Sequence, residues 1–527
     1  MFQNHFKSLA KFPWLISILS GVLVFLSFEK FNLPVLSLIF PIFFNALTFQ
    51  QRSLKHNFAL GFLTSFTVMV GGFYWVTYVI HEFGYLPWWI SFVIFLSFCG
   101  FGALNFPIFF SLTAQIHKRF LKTPPKPFFA ALWFSLFLPA LFSTVEFFFP
   151  KLFPWYLGHC WYRATYLNQI VELTGSLVLS FATYSLGSAV GLLLIPPFEL
   201  KRRPWEVLVV PILIWTSAFG FSHYRLTHPP TPGRNLKVAM IQANIGSLDK
   251  IKSETGIKGM VDQVVEKYVQ LTDKAVPFSP DLIVWPETAM PYSVGHTASR
   301  DRFLDQKIQQ WGKPLITGGY TKSDRNYFKD YNGAFLFEPT ENGQLKTQSY
   351  MKNILLAFGE YFPFGEYFPI LYRYFPQVAD FERGVRQDPV TLKDGTTLGV
   401  TICYEAIVPS FFRKTASHPI VGVVNLTNDS WFGPTSEPYL HGSLSVFRSL
   451  ETKLPLIRVT NTGLSFTVDS LGNQSKTTPL FEPEILISDL TLPATPPQTF
   501  YMKHGDWFVV LLVGILFLLG FRPFFKP

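Results

Sequence analysis

Leu398-Gly399-Val400-Thr401-Ile402-Cys403-Tyr404-Glu405 is an apolar run that ends in a thiol, a phenol and a carboxylate. Its first five residues carry no charge and include Leu398, Val400 and Ile402, as in a buried strand, so Cys403 falls at a strand's C-terminal end. Upstream, Leu282-Ile283-Val284-Trp285-Pro286-Glu287 is a second such run, and it ends in a carboxylate. Between the two, Lys352 stands in Tyr350-Met351-Lys352-Asn353. A thiol, a carboxylate and an ammonium at strand ends can form a covalent acyl-transfer site. The thiolate carries the acyl group, the carboxylate moves protons and the ammonium faces the developing oxyanion.

Working outward, short apolar runs alternate with amphipathic stretches. Strands are expected at Leu236–Gln242, Leu282–Trp285, Pro314–Gly319, Ala334–Phe337, Thr397–Ile402, Ile420–Leu426, Pro455–Thr460 and Ser465–Asp469, and helices at about 257–276, 299–311 and 436–452. The first helix carries Ile257, Met260, Val264, Tyr268 and Leu271 at helical spacing, with charges on the opposite face. This alternation argues an α/β domain over roughly 223–505. Loops after strand ends are where such a sheet keeps its chemistry, which also draws in the run Asn425–Gly433.

The flanks have a different character. The chain has 527 residues, 59 of them Phe and only 15% charged, with a positive mean hydropathy. That composition belongs to membrane proteins. Stretches able to span about 30 Å of hydrocarbon fall at roughly 13–28, 33–49, 58–80, 86–116, 127–149, 169–195, 204–222 and 506–521. The expected organisation is a polytopic helical domain of about seven spans (1–222), the α/β domain (223–505), and a last helix with a short tail (506–527). No cleavable signal peptide is evident, because the first apolar stretch leads straight into another.

The net charge of +10 lies in short loops rather than a stripe, which speaks against nucleic acid. Lys7, Lys11, Arg52, Lys55, Lys118, Arg119, Lys122, Lys126, Lys201, Arg202, Arg203, Arg522 and Lys526 fall on one side, and only Lys30, Lys151 and Arg163 on the other. The positive-inside rule then places both termini in the cytoplasm and 223–505 outside. Three cysteines, Cys99, Cys160 and Cys403, are too few for a disulfide framework.

Two aromatic loops stand out. Phe147–Tyr156 reads either as an interfacial belt or as a lipid entry under the outer domain, while Glu146 and Glu172 beside it receive no role. Ala357–Pro369 is too rich in Pro and Gly for its aromatics all to be core, so Phe358 and Tyr361 are expected to face lipid or an acyl chain. Trp431 and Phe432 pack either on an acyl chain or in the core. His441 and Arg448 read as structural. No His pair or Cys-x-x-Cys spacing suggests a metal, and no Gly-rich phosphate loop suggests a nucleotide, so no cofactor is expected.

Trp285-Pro286-Glu287, Lys352 and Cys403-Tyr404-Glu405, in that order, resemble the Glu–Lys–Cys triad of the nitrilase (carbon–nitrogen hydrolase) superfamily. The multi-span flanks, Phe153-Pro154-Trp155, Phe358-Gly359-Glu360 and Asn428–Gly433 narrow the resemblance to the apolipoprotein N-acyltransferases of the bacterial cytoplasmic (inner) membrane. The resemblance implies an αββα sandwich on the extracytoplasmic, periplasmic face. It implies Cys403 as nucleophile, Glu287 as general base and acid, and Lys352 with the Tyr404 N–H as oxyanion donors. Glu360 and Glu405 become supporting carboxylates, although Glu366 is close enough in sequence to compete with Glu360. The implied partners are a phospholipid, typically phosphatidylethanolamine, and apolipoproteins bearing diacylglyceryl-cysteine. A one-chain site gives no reason to require more than a monomer. Two departures touch only the acyl-binding loops: the run Gln242–Lys250 lacks a tryptophan usual in relatives, and Ala357 stands where proline is common.

Two other readings remain open from sequence. One is a membrane-anchored amidase of the same superfamily with water as acceptor, although a simple anchor needs only one span. The other is a transporter with a large external domain, disfavoured by the few charges in the spans and the absence of a clear inverted repeat.

Overall fold

Among the described residues, twelve strands form where aliphatic and β-branched residues cluster between Pro232 and Pro493: β1 (Pro232–Gln242), β2 (Leu282–Val284), β3 (Met290–Ser293), β4 (Leu315–Lys322), β5 (Asp330–Pro339), β6 (Leu345–Met351), β7 (Val390–Thr391), β8 (Thr397–Ile402), β9 (Gly422–Thr427), β10 (Leu456–Thr460), β11 (Phe466–Val468) and β12 (Glu484–Pro493). The structure is a computed structural model that describes residues 11–48, 52–122, 125–195, 204–246, 259–375 and 378–520. Lys7, Lys201, Arg202, Arg203, Arg522, Lys526, Ile257 and the 247–250 part of the Gln242–Lys250 run lie outside the described residues. By its contacts the chain divides into two units: Val79–Leu86 with Pro229–Met502, and the remainder.

In the first unit the strands form two sheets. One has the order β12-β1-β2-β4-β5-β6, with β3 joined to β4; the other runs β11-β10-β9-β8-β7. Pairing is parallel for β1/β2, β2/β4, β8/β9 and β9/β10. Side chains alternate across each strand. Leu236, Val238 and Met240 of β1 join Val400, Ile402, Val424, Leu426, Ile457 and Val459 in a core between the sheets. Ala239 and Ile241, pointing the other way, join Val264, Tyr268, Ile308 and Trp311 of the helices Met260–Ala275 and Ala298–Trp311. Against the second sheet, Thr415 of the helix Pro409–Ala416 lies at Gly399 of β8, and Phe466 of β11 lies at Gly442 of the helix Glu437–Thr452. The layers are therefore αββα. The expected strands all form, with ends shifted by a few residues, while β3, β6, β7 and β12 have no counterpart in the apolar runs.

In the second unit, four helices among the described residues are long and apolar enough to cross a membrane: Trp88–Lys118, Pro127–Phe148, Leu177–Leu194 and Trp205–Thr227. Leu54–Phe73 and Trp75–Glu82 pass that test together but are bent by 55°, and Pro13–Ser27, Leu36–Thr48 and Trp507–Leu519 are shorter apolar helices. Phenylalanine abundance has a packing reason here: Phe40, Phe44, Phe106, Phe109, Phe142 and Tyr184 form one buried cluster, with ring centroids 4.5–6.1 Å apart in such pairs as Phe142–Tyr184 and Phe40–Phe142.

The helix Pro127–Phe148 carries a π turn at Trp133–Phe137. Pro139 has no N–H for the Ser135 carbonyl, and Ser185 Oγ donates to that carbonyl at 2.6 Å instead. Phe153 and Trp155 are buried, against Trp75 and Phe28 respectively, so this part of the aromatic loop is core rather than an exposed belt. Glu146 accepts the Leu157 N–H at 2.6 Å, and Glu172 accepts Arg225 Nε at 3.1 Å, giving both carboxylates local partners.

Candidate active site

Glu287, Cys403 and Asn428 follow the C-terminal ends of β2, β8 and β9, all of which pair in parallel, and Lys352 follows β6. Glu287 is 6% exposed and Lys352 1%. The Lys352 ammonium lies 3.2 Å from Glu287 Oε1 and 2.7 Å from Glu360 Oε1. Asn332 Nδ2 donates to the same two oxygens, at 2.8 and 3.0 Å, and its backbone carbonyl accepts the Lys352 N–H at 2.9 Å. The other Glu287 oxygen accepts the Asn428 N–H at 2.9 Å, and the other Glu360 oxygen accepts the Leu356 N–H at 2.8 Å. Glu360 thus takes the place beside the lysine, and Glu366 is exposed.

Trp285 and Pro286 explain how a carboxylate comes to be held here. The Trp285 indole is fully buried, stacks on Tyr268 at 5.1 Å and donates to Thr272 Oγ1 at 2.9 Å. Thr288 then takes a left-handed φ of 51°. Gly318 lets this turn sit close: a Cβ there would fall on the Thr288 nitrogen and 2.6 Å from Glu287 Cα.

Cys403 is buried and has a left-handed φ of 51°, at the junction of β8 and a 3₁₀ turn, Cys403–Ile407. Burial pushes its thiol well above the ordinary range, the Glu287 charge adds to this, and the Lys352 charge opposes it. For Lys352, burial favours the neutral amine, but the charges of Glu287 and Glu360 outweigh it and raise the ammonium's pKa. The site therefore rests as a thiol, with the carboxylates holding an ammonium.

Glu405, the other expected supporting carboxylate, meets the backbone around the site. It accepts four hydrogen bonds, from the Asn353 N–H (2.6 Å), Ile354 N–H (3.0 Å), Ile402 N–H (2.8 Å) and Tyr350 hydroxyl (2.8 Å). It ties the backbone beyond Lys352 to the backbone before Cys403, and burial pushes its pKa up to about 7 against those bonds. Tyr404 is partly buried, and its phenol is raised to about 12 by burial and by Tyr361.

The aromatic candidates divide. Phe432 is buried, whereas the Trp431 ring meets Phe83 at 4.4 Å. Tyr361 lies under Arg383, 4.6 Å from its ring, while Phe358 is 59% exposed.

Behind the cysteine is a buried polar cluster that the apolar-run reading passes over. Arg458 donates to Asp429 Oδ2 at 3.0 Å and to Asn425 Oδ1 at 2.8 Å. His441 Nδ1 lies 3.1 Å from Asp429 Oδ1 and 3.6 Å from Glu437 Oε1. Asp429, Glu437 and His441 are close enough to ligate a cation, but Arg458 already supplies positive charge there and holds the Asp429 pKa down despite burial. Burial and Asp429 raise Glu437, and burial and Arg458 lower His441. An arginine inside the apolar run Leu456–Thr460 was the legible sign of this cluster. Asn332 and the Asn428 N–H left no comparable signal.

Residues 20–189 match the apolipoprotein N-acyltransferase N-terminal domain, and residues 237–497 match the carbon-nitrogen hydrolase domain. The chain is 33% identical to the apolipoprotein N-acyltransferase of Bdellovibrio bacteriovorus, over 95% of this chain and 92% of that one. It belongs to the apolipoprotein N-acyltransferase family. A second member, from Geobacter metallireducens, is 31% identical over 98% of this chain and 97% of its own. Among solved structures, Saccharomyces cerevisiae Nit3, of branch 10 of the nitrilase superfamily, aligns over 49% of this chain and 91% of that chain, with 17% identity and a TM-score of 0.37. As a family member the chain is an acyltransferase with a carbon–nitrogen hydrolase domain, and its apolar helices fit a membrane protein.

Proposed function

We propose that this enzyme moves an acyl chain from a membrane phospholipid, through a thioester on Cys403, to the N-terminal amine of diacylglyceryl-cysteine on apolipoproteins. The observation that carries the reading is the buried Glu287–Lys352–Glu360 constellation with Cys403 at the adjoining strand end. Glu287 takes the Sγ proton as the sulfur attacks the sn-1 ester carbonyl. The oxyanion faces Lys352 Nζ and the Tyr404 N–H. Collapse breaks the ester C–O bond, and Glu287 returns the proton to the leaving lysophospholipid alkoxide. The apolipoprotein α-amine then attacks the thioester, forming the amide C–N bond. Its proton passes through Glu287 to the departing sulfur, restoring the thiol. Glu360 and Glu405 support this by holding Lys352 and the backbones around it. Phe358, Tyr361, Trp431 and Phe432 would contact acyl chains.

The organisation that suits this chemistry is eight spans, with residues 1–222 and 506–527 in the bacterial inner membrane and 223–505 on the periplasmic face, where both lipid-anchored substrates lie. The bias of Lys and Arg toward one set of loops supports that orientation. Phosphatidylethanolamine is the expected donor and a monomer the expected state.

Mass spectrometry of the purified full chain mixed with phosphatidylethanolamine tests the reading. The expected result is a hydroxylamine-labile acyl mass on the Cys403 peptide, absent in Cys403→Ala. An intact donor lipid with no adduct in the wild type would overturn the thioester route or the donor. Free fatty acid without lipoprotein acylation would point instead to a hydrolase.

A further inference from the structure

Cys403 occupies a backbone conformation that L-residues adopt at a cost of about 1–2 kcal/mol. Its carbonyl has two buried donors in reach: His441 Nε2 at 3.4 Å and Asn425 Nδ2 at 3.5 Å. Both are steered by one cation. Arg458 holds Asn425 through its Oδ1 at 2.8 Å, and holds Asp429, which lies 3.1 Å from the other ring nitrogen of His441. Arg458, Asp429 and Asn425 are fully buried, and His441 is 3% exposed, so water does not compete for these bonds. Two protonation states of the ring, the imidazolium and the Nε2–H tautomer, both donate to the Cys403 carbonyl. Of these two, the Nε2–H tautomer turns its Nδ1 lone pair toward Asp429 Oδ1, and the Nδ1–H tautomer would turn its Nε2 lone pair toward the carbonyl, so the imidazolium alone donates to both Asp429 and Cys403.

We propose that His441 is a positioning residue for the nucleophile: its Nε2–H, oriented by the Arg458–Asp429 pair, holds the Cys403 carbonyl and thereby keeps the thiol and the following N–H aimed at the reacting carbonyl. Its place on a helix after the cysteine loop had suggested a structural residue only. The proposal rests on the reading of Cys403 as the acyl carrier. It adds a contact to the back of the cysteine that touches neither substrate nor the triad side chains. Displacing a nucleophile by a fraction of an ångström costs rate at the chemical step far more than it costs substrate binding.

The test compares His441→Gln with His441→Asn in the full chain. Glutamine places an amide N–H where Nε2 stands, whereas asparagine reaches only the Nδ1 side, so the two differ in reach and not in chemistry. The readout is the rate of acyl-Cys403 formation from phosphatidylethanolamine at several lipid concentrations, followed by mass, with thermal melting as the control for folding. His441→Asn is expected to slow adduct formation at saturating lipid on the order of tenfold, with half-saturation unchanged within about twofold. His441→Gln is expected to recover most of the rate. Equal rates for Asn, Gln and wild type, or equal slowing in both variants, would overturn the positioning role while leaving the nucleophile reading intact. No adduct in the wild type would overturn that reading, and this proposal with it.

Discussion

Lys352 is held closer to Glu360, at 2.7 Å, than to Glu287, at 3.2 Å. One buried ammonium thus answers two carboxylates, with the Asn332 amide bridging the same pair of oxygens. In the proposed reaction Glu287 exchanges a proton with substrate, while the shorter Glu360 contact fixes the ammonium.

Replacing Glu360 with Gln should expose that division of labour. Lys352 would be drawn onto Glu287 and away from the oxyanion position, and single-turnover acylation of Cys403 should fall on the order of 10²-fold. Breaking a buried ion pair outright costs about 3–5 kcal/mol. Glu360→Gln keeps an oxygen for Lys352, so it should melt above Glu360→Ala. Wild-type acylation in Glu360→Gln would show that the shorter ion pair has no catalytic weight.

Glu287 and Cys403 can be probed without substrate. The Glu287 charge raises the Cys403 thiol on top of burial, while Lys352 lowers it. In Glu287→Gln the raising charge is gone and the lowering one remains, so the pH profile of Cys403 alkylation by iodoacetamide should move to lower pH. Peptide mapping separates Cys403 from the buried Cys99 and Cys160. A profile that stays put, or moves up, would mean that Glu287 does not act on the thiol.

How much of this could be read in the sequence follows from what each element buries. β8 forms over Thr397–Ile402 as expected, since every residue after Thr397 is buried and none carries a charge. The apolar-run criterion does not pick out β6, β7 and β12, which are sheet edges, or β3, which hangs on the end of β4. β6 reads Leu-Lys-Thr-Gln-Ser-Tyr-Met, polar because much of it is solvent-facing. Within the site, Glu287, Lys352 and Cys403 stand at strand ends, where sequence can find them. Their partners come from places it cannot: the backbone N–H of Asn428, and an Asn332 amide in mid-strand. Lys352 and Glu360 are eight residues apart and look like any loop pair until the fold closes them.

Gly318→Ala tests the seat of Glu287. The added methyl would meet backbone atoms, the Thr288 nitrogen and Glu287 Cα, which cannot rotate aside. Overpacking of this kind costs about 1–3 kcal/mol. Relief requires the Glu287 turn to move away from Asn332 and Lys352, so acylation should drop by more than the loss in melting temperature accounts for. A variant with wild-type acylation would show that the turn tolerates the shift.

Glu405 gives a prediction about pH and stability whose sign is fixed by its environment. Its carboxyl is raised from 4.5 to about 7 because burial outweighs its hydrogen bonds. A raised folded pKa means that the folded chain holds a proton the unfolded chain has released. The stabilisation from the protonated form is fully present below about pH 4.5 and declines as pH rises to about 7. The full span is on the order of 3 kcal/mol. Glu405→Gln has no such titration. It also sets an amide N–H₂ against the donors that Glu405 accepts, namely the backbone N–H groups of Asn353, Ile354 and Ile402 and the Tyr350 hydroxyl, at about 1–3 kcal/mol for each donor left unsatisfied. The variant should therefore melt below wild type throughout, with the gap narrowing steadily as pH rises from about 4.5 to about 7. Melting curves of both proteins across that range decide it. A gap that is constant, or that widens with pH, would mean that Glu405 is ionised throughout and that its four donors, not burial, set its charge.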